Sequence, residues 1–193
     1  TNNNLKNKIN KYSNKKKKNE RKKKNRKKKK IKNGLYETDE TTNGYLLAGS
    51  IYGPSYLSFD FALYYYGLIP EKVTIYTSAT FNKRKKKMFS NKFGTFLYRD
   101  VPEKVYPLGI NLLKENNYYY QIATPEKALC DKLYTLSPLK NLEILEKTLL
   151  NDLRIDIEEL KKLNMKSIKE FADAYHSTNV NLLYKFIRRI INE

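Results

Sequence analysis

Few residues of this chain have the types and spacing that catalysis needs. His176 is the only histidine and Cys130 the only cysteine, so the sequence offers neither an imidazole cluster nor a thiolate set for zinc. The two side chains could act as nucleophile and base only if the fold brought them together. Because a cysteine beside the apolar stripe of a helix usually serves packing, we predict that role for Cys130.

The acidic residues offer one weak alternative. A metal-dependent nuclease needs acids near strand ends with a lysine close by, and Asp100, Glu103 and Lys104 come nearest to that pattern. Glu126 is the other acid that a phosphoryl-transfer reaction could use. Neither G-x-x-x-x-G-K-[ST] nor G-x-G-x-x-G occurs in the sequence. We therefore predict a protein that is not an enzyme and that needs no cofactor and no metal.

Two well-delimited helices stand out as the elements that organise the chain. In the first, Ser58 is expected to accept a hydrogen bond from the free amides of a helix that begins at Phe59. Gly67 then permits the left-handed residue that ends a short helix, and Pro70 prevents its resumption. Most of the circumference of the helix that begins at Phe59 is apolar, so this helix is expected to be buried.

The second helix carries the charged pair with the most interesting spacing. Thr124 is expected to cap it, Pro125 suits its first position, and Glu126 suits the positive charge of its first turn. Lys127 and Asp131 can pair at positions i and i+4. The pair either stabilises its own helix at the surface, which is the commoner arrangement, or belongs to a buried network that fixes this helix against the first.

Most of the positive charge lies at the start of the chain. The formal charge is +19, and residues 1–32 hold 17 Lys and Arg against one acid, whereas the remainder holds 22 basic and 19 acidic residues. We predict that residues 1–33 form a disordered polybasic arm, because they contain too few apolar residues to bury. The arm either contacts the phosphates of nucleic acid without base specificity or is a solubilising tail.

A second basic run, residues 83–87, is expected to lie in a loop between two strands. It is either a solvated loop or a further contact for phosphate. Tyr118, Tyr119 and Tyr120 could stack on bases, but alternate placement of such rings in the core and at the surface is more common. The predicted nucleic-acid contacts are Lys22, Lys23, Lys24, Arg26, Lys27, Lys28, Lys29, Lys30, Arg84 and Lys85.

The remaining pattern predicts an α+β fold in residues 34–193, with a small antiparallel sheet and a helical C-terminal part. Alternating stretches rich in β-branched and aromatic residues indicate strands, and apolar residues at helical spacing indicate helices. Asp156 and Glu159 are spaced as a capping box. The expected strands are residues 31–36, 73–80, 94–101, 105–113 and 117–122, and the further helices are residues 45–52, 139–153, 166–175 and 180–192.

Several of these segments together resemble the AbiEi-type antitoxin family of bacterial abortive-infection systems. The resemblance covers about residues 31–160. Its motifs are G-L-Y at 34–36, I-Y-G-P-S-Y-L-S-F-D-F-A-L-Y-Y-Y-G-L-I-P at 51–70, T-S-A-T at 77–80, F-G-T-F at 93–96 and I-A-T-P-E-K-A-L-C-D-K-L-Y at 122–134.

The resemblance implies a winged helix-turn-helix that binds DNA upstream of its own operon, followed by an α/β domain that neutralises a nucleotidyltransferase-type toxin. The arrangement is of type IV, in which toxin and antitoxin need not form a stable complex. Residues 1–30 lack the apolar positions of a winged helix, so that region is degenerate or missing here. The signature positions are Tyr56, Ser58, Ala62, Leu63, Gly67, Leu68, Ile69, Thr124, Pro125, Glu126, Lys127, Ala128, Leu129 and Asp131.

These observations predict an antitoxin that opposes a nucleotidyltransferase-like toxin, with nonspecific nucleic-acid affinity and autoregulation of its operon. The alternatives are a DNA-binding repressor without antitoxin activity and a phosphoryl-transfer enzyme. A single cysteine and the lack of an apolar stretch of about 18 residues indicate a cytosolic protein that does not enter a membrane.

Overall fold

The computed structural model describes residues 29–32, 34–37 and 41–192, and the chain divides into two units, residues 1–42 and 43–193. The disorder and the degenerate winged helix predicted for the start of the chain fall mostly on residues 1–28, which lie outside the described residues. None of the described helices is both long and apolar enough to cross a membrane.

A two-stranded antiparallel hairpin forms the described part of the first unit. Strand β1 (Lys29–Lys32) pairs with strand β2 (Leu35–Glu37), so the segment expected as one strand over 31–36 is divided by a turn in which Gly34 has φ +80°. The disorder predicted for residues 1–33 is therefore wrong for Lys29–Lys32. Lys29, Lys30 and Lys32 pair with β2, and Ile31 buries its side chain to 8% exposure.

The second unit contains a six-stranded mixed sheet in the order β5-β6-β4-β3-β8-β7. Two neighbouring pairs, β4 with β6 and β3 with β8, are parallel, and the other three pairs are antiparallel. The α+β class is confirmed, while the predicted antiparallel sheet is mixed. The strands are β3 (Tyr56–Leu57), β4 (Ile75–Thr80), β5 (Lys87–Asn91), β6 (Gly94–Asp100), β7 (Ile110–Glu115) and β8 (Tyr118–Ala123).

Strand β5 lies in a segment that the sequence placed in a loop. It pairs with β6 at the edge of the sheet, where Met88 and Ser90 are exposed and no side chain of β5 is fully buried. The strand therefore lacks the alternation of apolar and polar residues that identifies a half-buried strand, which is why the pattern missed β5. Tyr120 is buried at 7% exposure and Tyr119 is 65% exposed, as alternation along β8 predicts.

Helices cover the sheet and form the C-terminal part of this unit. A 3-10 turn (Gly44–Leu47) leads into the first of them. The described α-helices are α1 (Ala48–Ile51), α2 (Phe59–Tyr65), α3 (Pro125–Tyr134), α4 (Leu142–Lys147), α5 (Ile157–Lys161), α6 (Met165–Tyr175) and α7 (Thr178–Asn192).

The ends of α2 and α3 follow from local chemistry. Gly67 takes φ +74° after α2, and the amide of Leu68 donates to the carbonyl of Leu63 at 2.9 Å. At the start of α3 the hydroxyl of Thr124 accepts from the amide of Lys127 at 3.3 Å. Both predicted boundaries are therefore confirmed within one residue.

The helical tail differs from the sequence prediction in two places. The helix expected over 139–153 begins only at Leu142 and widens into a π-helical turn over Thr148–Asp152. Asp156 caps α5 by accepting from the amide of Glu158 at 2.8 Å, but Glu159 does not complete a capping box. Its carboxylate pairs with Lys162 instead.

Candidate functional site

A buried carboxylate joins the two segments that the sequence singled out. Asp131 on α3 accepts at Oδ2 from the hydroxyl of Tyr56 at 3.0 Å and from that of Ser58 at 2.6 Å. Its Oδ1 accepts from the ammonium of Lys127 at 3.2 Å and from the hydroxyl of Tyr175. We call these five residues the Asp131 network.

The network lies wholly inside the protein. Lys127 and Asp131 each have 0% side-chain exposure, so their pair belongs to the buried alternative and not to a charged helix surface. Removing two charges from water is costly, and the cost is offset only when the charges are paired and their remaining hydrogen-bonding positions are filled. Four donors on the two oxygens of Asp131 meet that condition.

Ser58 does not cap α2 as predicted. No backbone amide of the helix donates to its hydroxyl, which is committed to Asp131. Thr77 on β4 takes over, because its hydroxyl accepts from the amide of Phe61 at 3.0 Å and donates to the carbonyl of Ser58 at 2.6 Å. A side chain of a neighbouring strand therefore provides the hydrogen-bond acceptor for a free amide in the first turn of α2.

The ammonium of Lys127 is held among aromatic rings. It lies 4.5 Å from the ring centroid of Tyr175, 5.7 Å from that of Tyr56 and 5.9 Å from that of Phe171. These distances are within the range of cation–π attraction. Burial lowers the pKa of Lys127, and the neighbouring carboxylate of Asp131 opposes that shift.

The pKa values of the two tyrosines of the network shift in the opposite direction to that of Lys127. Burial raises the pKa of Tyr56 and of Tyr175 well above the ordinary value, and the negative charge of Asp131 raises both further. Both hydroxyls therefore stay protonated and act as donors to the carboxylate. The network presents one ammonium, one carboxylate and three hydroxyl groups that are mutually satisfied.

Glu126 lies at the edge of this arrangement and not in it. Its carboxylate accepts from the backbone amide of Asn164 at 2.9 Å, just before α6 begins. The side chain of Asn164 in turn caps α6 by accepting from the amide of Ser167. Glu126 thus ties the start of α3 to the start of α6, while Asp131 ties the middle of α3 to the end of α6 through Tyr175.

Two residues of this site were missed from the sequence. Tyr175 follows Ile168, Phe171 and Ala172 on the buried face of α6, and a buried tyrosine needs a partner for its hydroxyl. That pattern identifies the burial but not the partner. Gly109, with φ +62°, lets the chain pass close to Lys127 and Phe171, and the sequence carried no signal for it.

The fold does not join Cys130 and His176 into the pair that nucleophilic catalysis would need. Cys130 is fully buried, and burial raises the pKa of its thiol, so the thiolate that nucleophilic attack needs is disfavoured. His176 is exposed after α6 in a left-handed conformation. Along the described chain no hydrogen bond connects the two side chains. The packing role predicted for Cys130 fits its position.

The acids proposed for a nuclease support the basic run instead. Asp100 accepts from the hydroxyl of Thr80 and from the backbone amide of Arg84, each at 2.6 Å, and Glu103 accepts from the side-chain amide of Asn82 at 2.8 Å. Among residues 29–32, 34–37 and 41–192, no group of three or more His, Cys, Asp or Glu is placed to hold a metal ion.

We call residues 81–86, between β4 and β5, the basic loop. Arg84 and Lys85, two of the predicted phosphate contacts, are exposed there. The loop is held at its base by Asp100 and braced by Lys83, whose ammonium lies 5.4 Å from the ring centroid of Tyr52. Cations held on an anchored loop lose less conformational entropy on binding than cations on a free chain.

The other predicted nucleic-acid contacts either belong to the first unit or fall outside the described residues. Lys29 and Lys30 belong to β1 in the first unit, and the side chain of Lys30 is exposed. The remaining ones, Lys22, Lys23, Lys24, Arg26, Lys27 and Lys28, fall outside the described residues. Searches against protein-family models and against the curated proteins find no match for this chain.

Proposed function

We propose that this protein is a cytoplasmic antitoxin of a type IV toxin-antitoxin system, which opposes a nucleotidyltransferase-like toxin without catalysing a reaction. The observation that carries the proposal is the contact between its two signature segments. Tyr56 and Ser58 from the first both donate to Asp131 from the second. The residues that resemble the antitoxin family are thus mutual partners in one core.

The geometry favours a partner-directed body over an enzyme. The charged pair of the Asp131 network, Lys127 and Asp131, has no side-chain exposure. A substrate therefore cannot reach these two charges in this conformation. The surface instead presents cations, with Arg84 and Lys85 on the basic loop. A toxin that acts on RNA can be opposed by an antitoxin whose cations bind the same RNA. Such competition needs no stable complex between the two proteins.

Growth rescue is the direct test. The chain is co-expressed with the nucleotidyltransferase-like toxin encoded beside it, and wild-type protein is expected to restore growth. Asp131→Ala should weaken rescue as its stability and its amount of folded protein fall, whereas Asp173→Ala, which removes one partner of an exposed pair, should keep both rescue and stability. Soluble, folded wild-type protein that does not restore growth would contradict the proposal.

A DNA-binding repressor is the second candidate, and the anchored basic loop is the observation that favours it. Specific recognition needs side chains that are held in place at the DNA. The hydrogen bond from the backbone amide of Arg84 to the carboxylate of Asp100 helps to hold the loop in place. The two roles are compatible if the protein regulates its own operon. Competition of operator binding by unrelated DNA as effectively as by the operator itself would remove specific repression.

A further inference from the structure

A cavity of about 90 Å³ lies at the face of the sheet that packs against α2 and α3. Thr77 of β4 and Arg99 of β6 line it from the sheet, and Asp60, Lys132 and Thr135 line it from the helices. One water needs roughly 10–15 Å³ of such space. The cavity therefore has room for a group of several heavy atoms.

Arg99 is the unusual member of this lining. Its side chain is half-buried, and in the described part of the chain it makes neither an ion pair nor a hydrogen bond. A guanidinium carries five N–H donors in a fixed planar fork that suits oxyanions. Partial burial of such a group without an acceptor is unfavourable, so an anionic ligand would stabilise it.

Lys132 supplies a second cation to the same cavity. Its ammonium lies 2.6 Å from a carboxylate oxygen of Asp60, with side-chain exposures of 21% and 35%. An ammonium has three donors, and Asp60 uses one of them. The ion pair therefore holds Lys132 in position and leaves donors for another acceptor.

The cavity is separate from the basic loop. Successive side chains of a strand point to opposite faces of the sheet, so Arg99 and Asp100 face in opposite directions. Asp100 anchors the loop on its side, and Arg99 shares its face with Leu97 and Thr77 through the parallel register of β4 and β6. A ligand in the cavity would not occupy the loop.

We propose that this cavity binds a phosphate group, carried either by inorganic phosphate or by a nucleoside 5′-monophosphate. Arg99 provides the bidentate contact, and Lys132 provides a second charged donor. Guanidinium and ammonium groups together are well suited to the several acceptor oxygens of phosphate. The site does not rest on the proposed antitoxin role.

The test is calorimetric titration of the full chain with inorganic phosphate and, separately, with uridine 5′-monophosphate, at constant ionic strength set with chloride. We expect one saturable site for at least one of the two ligands, and the tighter ligand identifies the source of the phosphate. Arg99→Gln should weaken that site at least tenfold. Lys140→Gln, which removes one charge from an exposed residue outside the cavity, should leave it unchanged.

Weak binding to the polybasic N-terminal segment is the same in both variants, so it cannot produce the difference. Arg99→Lys keeps the charge without the planar fork and should bind with intermediate affinity. Circular dichroism and thermal unfolding in chloride confirm that each variant is folded. Binding that does not saturate, or that is equal in Arg99→Gln and Lys140→Gln, would overturn the site.

Discussion

The hydroxyl of Ser58 donates to Oδ2 of Asp131 at 2.6 Å, although the two residues are 73 positions apart. Neither group is exposed to water. This contact places the entry to α2 directly against the middle of α3. Because the same carboxylate also binds Lys127 and Tyr175, the packing of two sequence-remote segments and of α6 depends on one side chain.

Asp131→Ala is expected to destabilise the protein by about 3–5 kcal/mol, because it leaves the ammonium of Lys127 buried without its partner. Urea unfolding followed by circular dichroism measures the free energy of unfolding. The matched control is Asp173→Ala on α6, which breaks an i, i+4 pair with Lys169 that is exposed at both ends. The control should change stability little, because exposed pairs contribute little.

Replacing both charges separates the cost of an unpaired ammonium from the value of the pair. Lys127→Met combined with Asp131→Leu should be less destabilising than Asp131→Ala alone, because no unpaired charge remains. If the double variant is the less stable of the two, the buried charge is not the source of the loss.

Gly109→Ala is expected to destabilise the protein by more than the strain of its backbone alone. A Cβ at this position would lie 2.6 Å from Cζ of Phe171 and 3.0 Å from Cβ of Lys127, in a conformation with φ +62°. Gly67→Ala is the control, because Gly67 has φ +74° and open space around it. The control measures the strain of a left-handed residue, about 1–3 kcal/mol.

Urea unfolding of both glycine variants gives the comparison. The difference between them isolates the steric term, which should shift Phe171 and Lys127 and so loosen the Asp131 network. Equal losses in the two variants would show that α6 moves aside without cost.

Local chemistry explains how much of the fold could be predicted. The start of α3 follows from Thr124 and Pro125, and the end of α2 from Gly67, because each acts on amides or dihedral angles within a few residues. Ser58 has the same local chemistry as Thr124, yet its hydroxyl serves Asp131. Local rules cannot decide between a nearby amide and a carboxylate that the fold delivers from far along the chain.

The site was harder to predict for the same reason. The i, i+4 spacing of Lys127 and Asp131 is identical for a surface pair and for a buried one, and only the packing of α6 over them decides which forms. Tyr175 carried a burial pattern but no indication of its partner. The cavity at Arg99 required the register of β4 against β6, and parallel pairing cannot be read from either strand alone.

Alkaline solution is expected to unfold the protein through its buried tyrosines. The pKa of Tyr175 is raised in the folded state, so above about pH 10 the unfolded chain releases a proton that the folded chain keeps. Stability therefore falls as pH rises, by about 1.4 kcal/mol per pH unit for each such group. The lowered pKa of Lys127 makes stability rise with pH, but this rise ends at the ordinary lysine value of 10.5.

Above pH 10.5 the slope comes from the buried tyrosines together with the buried Cys130 thiol, whose pKa is also raised, and the change made by one tyrosine variant isolates its share. Tyr175→Phe should be less stable at neutral pH, since it loses a donor to Asp131, yet its stability should fall less steeply between pH 10.5 and 11.5. Tyr64→Phe, at an exposed position on α2, should leave the slope unchanged. A slope that Tyr175→Phe does not reduce would mean that Tyr175 titrates normally.

The basic loop makes the last prediction. Arg84→Gln combined with Lys85→Gln should weaken binding to duplex DNA and reduce the slope of log affinity against log salt by about 1.8, because each phosphate contact contributes about 0.9. Fluorescence anisotropy at 50–200 mM salt measures the slope. Lys140→Gln combined with Lys166→Gln removes the same charge from exposed positions elsewhere and should leave the slope near that of the wild type.

Asp100→Asn tests whether the loop must be held in place. The substitution keeps the cations of Arg84 and Lys85 but weakens the hydrogen bond that the backbone amide of Arg84 donates to residue 100. Affinity should fall through the entropy of ordering the loop, while the salt slope stays constant because the number of neutralised phosphates is unchanged. If the double loop variant keeps the full salt slope, DNA is bound by the N-terminal lysines alone and the loop serves another partner.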